Sequence, residues 1–155
     1  MAVASVLAGQ DRLGGPAWSP DGRTIAVPGS SNLAGQGGPE RAFNARWRIL
    51  LANEKLTSSR PLGKTTYRER PDLAWSPDGK LLAVSSQTAA ANGQLSIVRV
   101  TDGKVYHVSK GIVADVVWTS SSTVAVIRST SYVADQPTTW VDLWDVSVIV
   151  KNAAS

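Results

Sequence analysis

A short motif that occurs three times constrains the fold of this chain more than any other feature. Its first two copies, at residues 16–27 and 73–84, share the run Trp-Ser-Pro-Asp-Gly, followed by a basic residue and, three residues later, by Ala-Val. Proline fixes φ at the second turn position, aspartate is tolerated at the third, and glycine accepts the positive φ of the last. Because apolar segments flank this turn on both sides, each copy predicts a β-hairpin.

The third copy, at residues 116–126, has diverged. It keeps its tryptophan, Trp118, and the alternating apolar segment, but its turn contains neither proline nor glycine. Six residues separate Trp118 from Ala125, whereas seven separate the corresponding residues of the first two copies. We therefore expect a tighter turn in the third hairpin.

Composition excludes several classes of protein. With 155 residues, 43% hydrophobic and 18% charged, the chain is long enough for one globular domain with a core. It has no cysteine, which excludes disulfides, thiolate metal sites and cysteine nucleophiles. No apolar run approaches the roughly 18 residues that span a bilayer. Residues 1–7 lack a basic n-region and are too short for a secretory signal, so we expect a cytoplasmic protein, or a periplasmic one whose leader was removed.

Alternation and turn residues predict further strands around the hairpins. They are expected at residues 2–7, 46–52, around Leu56, and at 94–100, 105–109, 139–146 and 148–151. Residues 8–15 are expected to form a connector, 28–44 a loop, 58–70 a link to the second hairpin, and 101–104 a turn. No apolar period of 3.6 residues lasts long enough to predict a helix.

The three units can be superimposed along the sequence. Segments 47–50, 95–98 and 141–144 follow the three hairpins at equivalent places, and the repeat tryptophans are 57 and then 43 residues apart. Four short strands in a period near 43 are typical of a propeller blade. The predicted fold is all-β, with antiparallel four-stranded blades of a β-propeller. About three blades are expected, at residues 16–62, 73–110 and 114–152, with 1–8 as a candidate ring-closing strand.

The repeat resembles that of TolB-type propellers, a branch of the WD-like β-propellers. Trp144-Asp145, within 141–146, resembles the dipeptide that gives WD repeats their name. The resemblance covers residues 16–151 and implies a fold and a habit of binding proteins, but no chemistry. The structural repeat positions are Trp18, Asp21, Gly22, Trp75, Asp78, Gly79, Trp118, Trp144 and Asp145.

Three units are fewer than the four to eight blades of a closed propeller. An open row of blades leaves two sheet faces in water, and such a large apolar patch needs a partner. Three explanations remain open: the chain is a piece of a longer one, a second copy completes a six-bladed ring, or a different chain completes it. A ring-closing strand at residues 1–8 would join the edge of a blade in the completing chain.

Residues that could carry chemistry are few, and each has a structural interpretation. His107 is the only histidine, and no Gly-x-Ser-x-Gly motif accompanies it, so a catalytic triad is not indicated. Residues 35–38 lack the Lys-Ser/Thr of a phosphate-binding loop. Asp21 and Asp78 supply one carboxylate per turn, whereas calcium takes six to eight oxygens. We therefore predict no catalytic residue, no cofactor and no metal.

The repeat tryptophans allow two interpretations. Trp18, Trp75 and Trp118 would form a stacking platform if exposed, or the contact between blades if buried. Because each occupies an equivalent position in its unit, we predict that they lie between blades.

Charge is concentrated in one segment. Residues 40–70 hold eight basic and three acidic side chains, a net +5, while the remainder of the chain sums to −1. Arg46 and Arg48 alternate with Trp47 and would share one face of a strand. An edge of this kind could bind an acidic protein, nucleic acid or anionic lipid, or it could simply protect the sheet edge from aggregation. The candidate binding edge consists of Arg41, Arg46, Arg48, Arg68 and Arg70.

Two classes of function fit these features. The first is a non-enzymatic binding or scaffold module, a propeller segment that mediates protein–protein interaction and is completed by another chain, a second copy or missing sequence. The second is a non-catalytic propeller segment of a larger enzyme, such as a prolyl-oligopeptidase-like serine peptidase. The sequence that follows Ser155 in the full-length reading frame would distinguish them.

Overall fold

In a computed structural model of the chain, the described residues form three antiparallel sheets and one short helix. The structure describes residues 12–30, 46–86, 93–110, 113–129 and 138–152. The first sheet contains β1 (Arg12–Leu13), β2 (Ala17–Trp18), β3 (Thr24–Ser30), β4 (Trp47–Asn53) and β5 (Ser59–Pro61). The second contains β6 (Asp72–Trp75), β7 (Leu81–Ser86), β8 (Gln94–Arg99) and β9 (Val105–Lys110). The third contains β10 (Val113–Trp118), β11 (Thr123–Ser129) and β12 (Thr139–Asp145), and α1 (Ser147–Asn152) follows it.

All three predicted hairpins are present, as β2–β3, β6–β7 and β10–β11. In each sheet the second hairpin strand pairs with one further long strand, β4, β8 or β12. The predicted turn at 101–104 is also present, and Gly103 has a φ of 71° there. The predicted strand at 2–7 and the loop residues 35–38 lie outside the described residues.

The predicted loop at 28–44 is wrong for its first three residues, which belong to β3. Pro28 lies opposite Ile49 of β4, and its carbonyl accepts the N–H of Gly14 at 2.7 Å. The backbone polar atoms of Pro28 therefore point away from β4, toward the break between β1 and β2. Its missing N–H removes no hydrogen bond from the β3–β4 ladder, which is how a proline is tolerated here.

The strand predicted around Leu56 is also wrong. Leu56 lies in a turn with a φ of 52°, and the strand follows it, as β5. Asn53 organises this turn because its side-chain oxygen accepts the N–H of Thr57 at 2.8 Å, while its amide nitrogen donates to the Thr57 hydroxyl at 2.7 Å. The link predicted over 58–70 therefore contains β5 and, at Tyr67, a single bridge to Trp47.

The strand predicted at 148–151 is wrong, because these residues lie in α1. Val146 is fully buried, and its N–H donates to the Ser122 carbonyl at 2.8 Å, which holds the chain at the end of β12. The Asp145 carboxylate then accepts the N–H of Ser147 at 2.9 Å, satisfying a backbone donor at the start of the helix. The third sheet accordingly has three strands among the described residues.

Two apolar clusters join the sheets in chain order. The cluster between the first and second sheets consists of Ala26, Trp47, Ile49, Leu51, Leu62, Tyr67, Leu82, Val84 and Val98. The cluster between the second and third consists of Leu81, Ala83, Leu95, Ile97, Tyr106, Val113, Val116, Val124, Val126 and Val146. Because side chains alternate across a strand, the second sheet buries both of its faces.

Two glycines bring the first and second sheets into close contact outside these clusters. Gly63 and Gly103 have φ values of 70° and 71°, and a Cβ added to Gly103 would lie 2.5 Å from the Cα of Gly63. Any side chain at either position would therefore push the two turns apart.

Candidate functional site

A repeated hydrogen bond connects neighbouring sheets through the repeat tryptophans. The indole Nε1 of Trp75 donates to the carbonyl of Ala17 at 2.9 Å, and that of Trp118 donates to the carbonyl of Ala74, also at 2.9 Å. Each acceptor is the residue immediately before the tryptophan of the preceding sheet. Trp75 and Trp118 are both half-buried and pack against the two apolar clusters, so they lie between sheets.

Both ends of this series lie on exposed residues. Trp18, the tryptophan of the first sheet, is 54% exposed. At the other end the equivalent acceptor is the carbonyl of Val117, the residue before Trp118, and Val117 is also 54% exposed. The series of indole–carbonyl hydrogen bonds therefore ends at the carbonyl of Val117, which is the acceptor position for a further sheet.

The side of the third sheet that faces away from the second is apolar and exposed. Val117 lies opposite Ala125, which lies opposite Leu143, and Ile127 lies opposite Val141. Leu143 is 71% exposed, Val141 61% and Ile127 36%. We call the surface formed by Val117, Ala125, Ile127, Val141 and Leu143 the open face.

The register shows why the open face is unusual. The repeat alanines Ala26, Ala83 and Ala125 lie opposite Leu51, Ile97 and Leu143, respectively. Leu51 and Ile97 are 5% and 0% exposed because the next sheet covers them. Leu143 is an equally apolar residue at the same register position, but no described sheet follows it.

Asp21 and Asp78 are engaged within their own turns. The Asp21 carboxylate accepts the Ser19 hydroxyl at 2.6 Å and the Arg23 N–H at 3.1 Å, and these bonds lower its pKa, the Ser19 bond most. Asp78 accepts the Ser76 hydroxyl at 2.7 Å and the Lys80 N–H at 3.2 Å. Partial burial favours its neutral form, but these bonds outweigh that effect and the pKa of Asp78 is also lowered.

Gly22 and Gly79 complete the same turns, with φ values of 69° and 70°. A groove of about 400 Å³ runs between the two turns and is lined by both aspartates. Within the described part of the chain, no group of three or more histidine, cysteine, aspartate or glutamate side chains could hold a metal ion.

The remaining sequence candidates are placed as follows. Trp144 is partly buried against the cluster between the second and third sheets, and Asp145, the last residue of β12, accepts the N–H of Ser147 at the start of α1. Bonds from the Ser147 hydroxyl and N–H lower the pKa of Asp145. The Nδ1 atom of His107 contacts the Gln94 amide and lies 3.1 Å from the Ser96 hydroxyl, neither of which is the carboxylate that a triad histidine requires.

The candidate binding edge is only partly brought together. Arg46 and Arg48 flank Trp47 at the start of β4, and the Trp47–Tyr67 bridge places Arg68 beside them. Sequence reasoning placed Arg46 and Arg48 on one face but had no signal for this bridge, which joins residues twenty positions apart. Arg70 lies apart from them, near Gly14: a Cβ added to Gly14 would lie 3.2 Å from the Cδ atom of Arg70. Arg41 lies outside the described residues.

Comparison with solved structures decides the fold. The β-propeller domain of the Trilobed protease from Pyrococcus furiosus superimposes with a TM-score of 0.62 over 88% of this chain and 39% of its own, at 14% identity. The fold is that of a β-propeller. Putative TolB from Agrobacterium tumefaciens gives 0.58 over 90% of this chain and 47% of its own, at 20% identity. Acylaminoacyl peptidase from Pyrococcus horikoshii gives 0.60 over 88% and 23%, at 12% identity.

Each sheet is therefore a blade of a partial propeller, and the chain spans less than half the length of these three structures. No family model and no curated protein sequence matches it. None of the described helices is long and apolar enough to cross a membrane.

Proposed function

We propose that this chain is a non-enzymatic β-propeller module that binds protein through the open face. The observation that carries the proposal is the exposure of Leu143 at a register position where Leu51 and Ile97 are buried. Contiguous exposed apolar surface marks protein interaction sites in soluble proteins. The completing sheet belongs to another chain, a second copy or further sequence of the same protein.

The existing junctions indicate how the completing sheet would dock. At both of them an apolar sheet face covers the residue opposite the repeat alanine, and a tryptophan donates to the carbonyl before the preceding tryptophan. A docking sheet that follows this pattern presents an indole N–H to the carbonyl of Val117.

A second candidate is the propeller segment of a larger enzyme, without catalytic residues of its own. The observation that favours it is the similarity to acylaminoacyl peptidase from Pyrococcus horikoshii and to AtxE2 isopeptidase, whose chains are covered to 23% and 30% by this one. In this case further blades and a hydrolase domain belong to the same polypeptide. A full-length reading frame that encodes them would select this candidate.

Light scattering on the purified chain tests the proposal. We expect a dimer or a mixed complex at micromolar concentration, because the open face is apolar and unpaired. The double variant Val141→Lys/Leu143→Lys should dissociate it without loss of folding, since both residues are exposed. Ser58→Lys/Thr101→Lys, at two exposed turn positions outside the open face, is the matched control. A cooperative monomer that binds no hydrophobic dye would contradict the proposal.

A further inference from the structure

Three arginines are brought together on the first sheet by a single bridge. The N–H of Trp47 donates to the Tyr67 carbonyl at 2.8 Å, and the N–H of Tyr67 donates back to the Trp47 carbonyl at 2.8 Å. Both aromatic side chains are 7% exposed and belong to the cluster between the first and second sheets. Arg46 and Arg48, the neighbours of Trp47 at the start of β4, lie on the opposite side of the sheet, because side chains alternate along a strand. Arg68 follows Tyr67 in a bend beside them. We call Arg46, Arg48 and Arg68 the arginine cluster.

The arginine cluster concentrates positive charge at one place on the first sheet. In an antiparallel bridge the residue before one partner lies across from the residue after the other, so the backbone of Arg46 lies next to that of Arg68. None of the ion pairs among the described residues involves the cluster; they join Lys80 to Asp78, Arg99 to Asp102 and Arg128 to Asp142.

The surroundings leave the cluster accessible. Arg48 and Arg68 are exposed and Arg46 is half-buried. Arg48 lies opposite Gly29, which has no side chain to cover it. The cluster also lies on the side of the first sheet away from the second, so the contacts between these two sheets do not bury it.

The guanidinium groups of the cluster favour an anionic partner, and the nearby residues indicate which kind of anion. Guanidinium groups bind carboxylates and phosphates through paired N–H donors. Proteins that bind single-stranded nucleic acid add exposed aromatic side chains for base stacking, but Trp47 and Tyr67 are buried.

We propose that the arginine cluster binds an acidic segment of a partner protein, whose aspartate and glutamate carboxylates accept bonds from the three guanidinium groups. This inference rests on the proposed function only in that the partner is a protein. It assigns a second surface, on the first sheet, whereas the open face is on the third.

Fluorescence anisotropy with a labelled peptide rich in glutamate and aspartate tests this proposal. The variant Arg48→Gln/Arg68→Gln should weaken binding by at least about tenfold, because a hydrogen bond to a charged group typically contributes that much. Lys55→Gln/Lys64→Gln is the matched control, since it removes the same charge from exposed positions of segment 40–70. We expect the control to change affinity less than about twofold, the scale of screened surface charges.

Several outcomes would overturn the proposal. An equal loss in both double variants would show that net charge, and not the cluster, attracts the peptide. Tighter binding of a single-stranded DNA oligomer of equal charge would assign the cluster to nucleic acid, and preferential binding of phosphatidylserine vesicles would assign it to a membrane surface. Absence of peptide binding by a chain that still associates through the open face would refute this inference alone. A chain that binds the peptide but remains monomeric would refute only the proposal that another sheet docks on the open face.

A folding measurement separates the cluster from a structural role. Because Arg68 is exposed and belongs to none of the ion pairs among the described residues, Arg68→Gln should melt at the same temperature as the parent chain. A marked decrease in melting temperature would show that Arg68 supports the fold, and the loss of peptide binding would then have to be reproduced with Arg48→Gln alone.

Discussion

The two end sheets of the propeller segment differ in the state of their outward sides. On the first sheet Ile25, Val27 and Leu50 are 6%, 5% and 8% exposed, although they lie on the side away from the second sheet and belong to neither junction cluster. On the third sheet Val141 and Leu143 of the open face are more than half exposed. The first sheet thus buries its outward apolar side chains, although Arg48 on the same side is exposed, and the third sheet does not.

This difference shows that residue type does not determine exposure in a repeat array. Leu50 and Leu143 are the same amino acid on the middle strands of two equivalent sheets, yet one is buried and the other is not. Both sheets stand at an end of the row, so what differs is whether the outward side is covered: Leu50 is 8% exposed and Leu143 is 71% exposed. The three predictions below test this comparison in order of expected effect.

The largest difference should appear between two tryptophans of the same repeat. Trp118→Ala removes a side chain that packs between sheets and donates to Ala74, so it should lower the free energy of unfolding by about 3–5 kcal/mol. Trp18→Ala removes a 54% exposed side chain and should cost less than about 1 kcal/mol, near the range for surface substitutions. Urea unfolding measures both.

Trp118→Phe separates packing from hydrogen bonding in the same experiment. It keeps most of the apolar area and loses the indole donor, so it should cost about 1 kcal/mol, the typical net value of one hydrogen bond. If Trp18→Ala were as costly as Trp118→Ala, Trp18 would be buried in solution by a docked sheet, and the two ends would not differ as described.

The second prediction compares the two leucines. Leu50→Ala should lower the free energy of unfolding by about 2–4 kcal/mol, because it leaves a cavity in a buried site. Leu143→Ala should change it by less than about 0.5 kcal/mol in the monomer, because that side chain is 71% exposed. The measurement is thermal or urea unfolding at a concentration where the chain is monomeric. Equal costs would mean that the open face is covered.

The hairpins could be predicted from sequence because their signals are local. Ser19, Asp21 and Gly22 form the first turn through contacts within a few residues of each other, and the second turn repeats them. The repeat period then indicated blades, and the likeness to propeller structures confirms that fold. The interpretation of the repeat tryptophans as inter-blade residues depended only on their equivalent positions; Trp75 and Trp118 do lie between sheets, but Trp18 is 54% exposed.

The predictions that were wrong, and the cluster that was not predicted, depend on contacts between residues far apart in sequence. Residues 28–30 read as loop because proline disfavours a strand, but Pro28 faces the break between β1 and β2. A strand was predicted at residues 148–151 because of their valines and isoleucine, yet the buried Val146 ends β12 first and α1 follows. The arginine cluster depends on the Trp47–Tyr67 bridge, which no local sequence pattern predicts.

The smallest effect should come from the turns, and it distinguishes the first two sheets from the third by pH. Asp21 and Asp78 have lowered pKa values because they accept bonds from Ser19 and Ser76, respectively, whereas turn residues 119–122 contain no carboxylate. A carboxylate whose pKa is lower in the folded than in the unfolded state stabilises the protein above the unfolded value, and this contribution is lost as pH falls through the folded one. Stability should therefore decrease as pH falls below about 3.9, the ordinary value for aspartate.

The double variant Asp21→Asn/Asp78→Asn tests this assignment. Asparagine has no carboxyl group that titrates. The variant should therefore have a slightly lower melting temperature at neutral pH, and its melting temperature should decrease less steeply toward acid pH. Asp115→Asn in the third sheet, an exposed carboxylate outside the repeat turns, is the control and should keep the parent slope. If the double variant also kept that slope, the acid sensitivity would have to come from other carboxylates, with Asp102 the first to examine, because its bond with Arg99 also lowers its pKa.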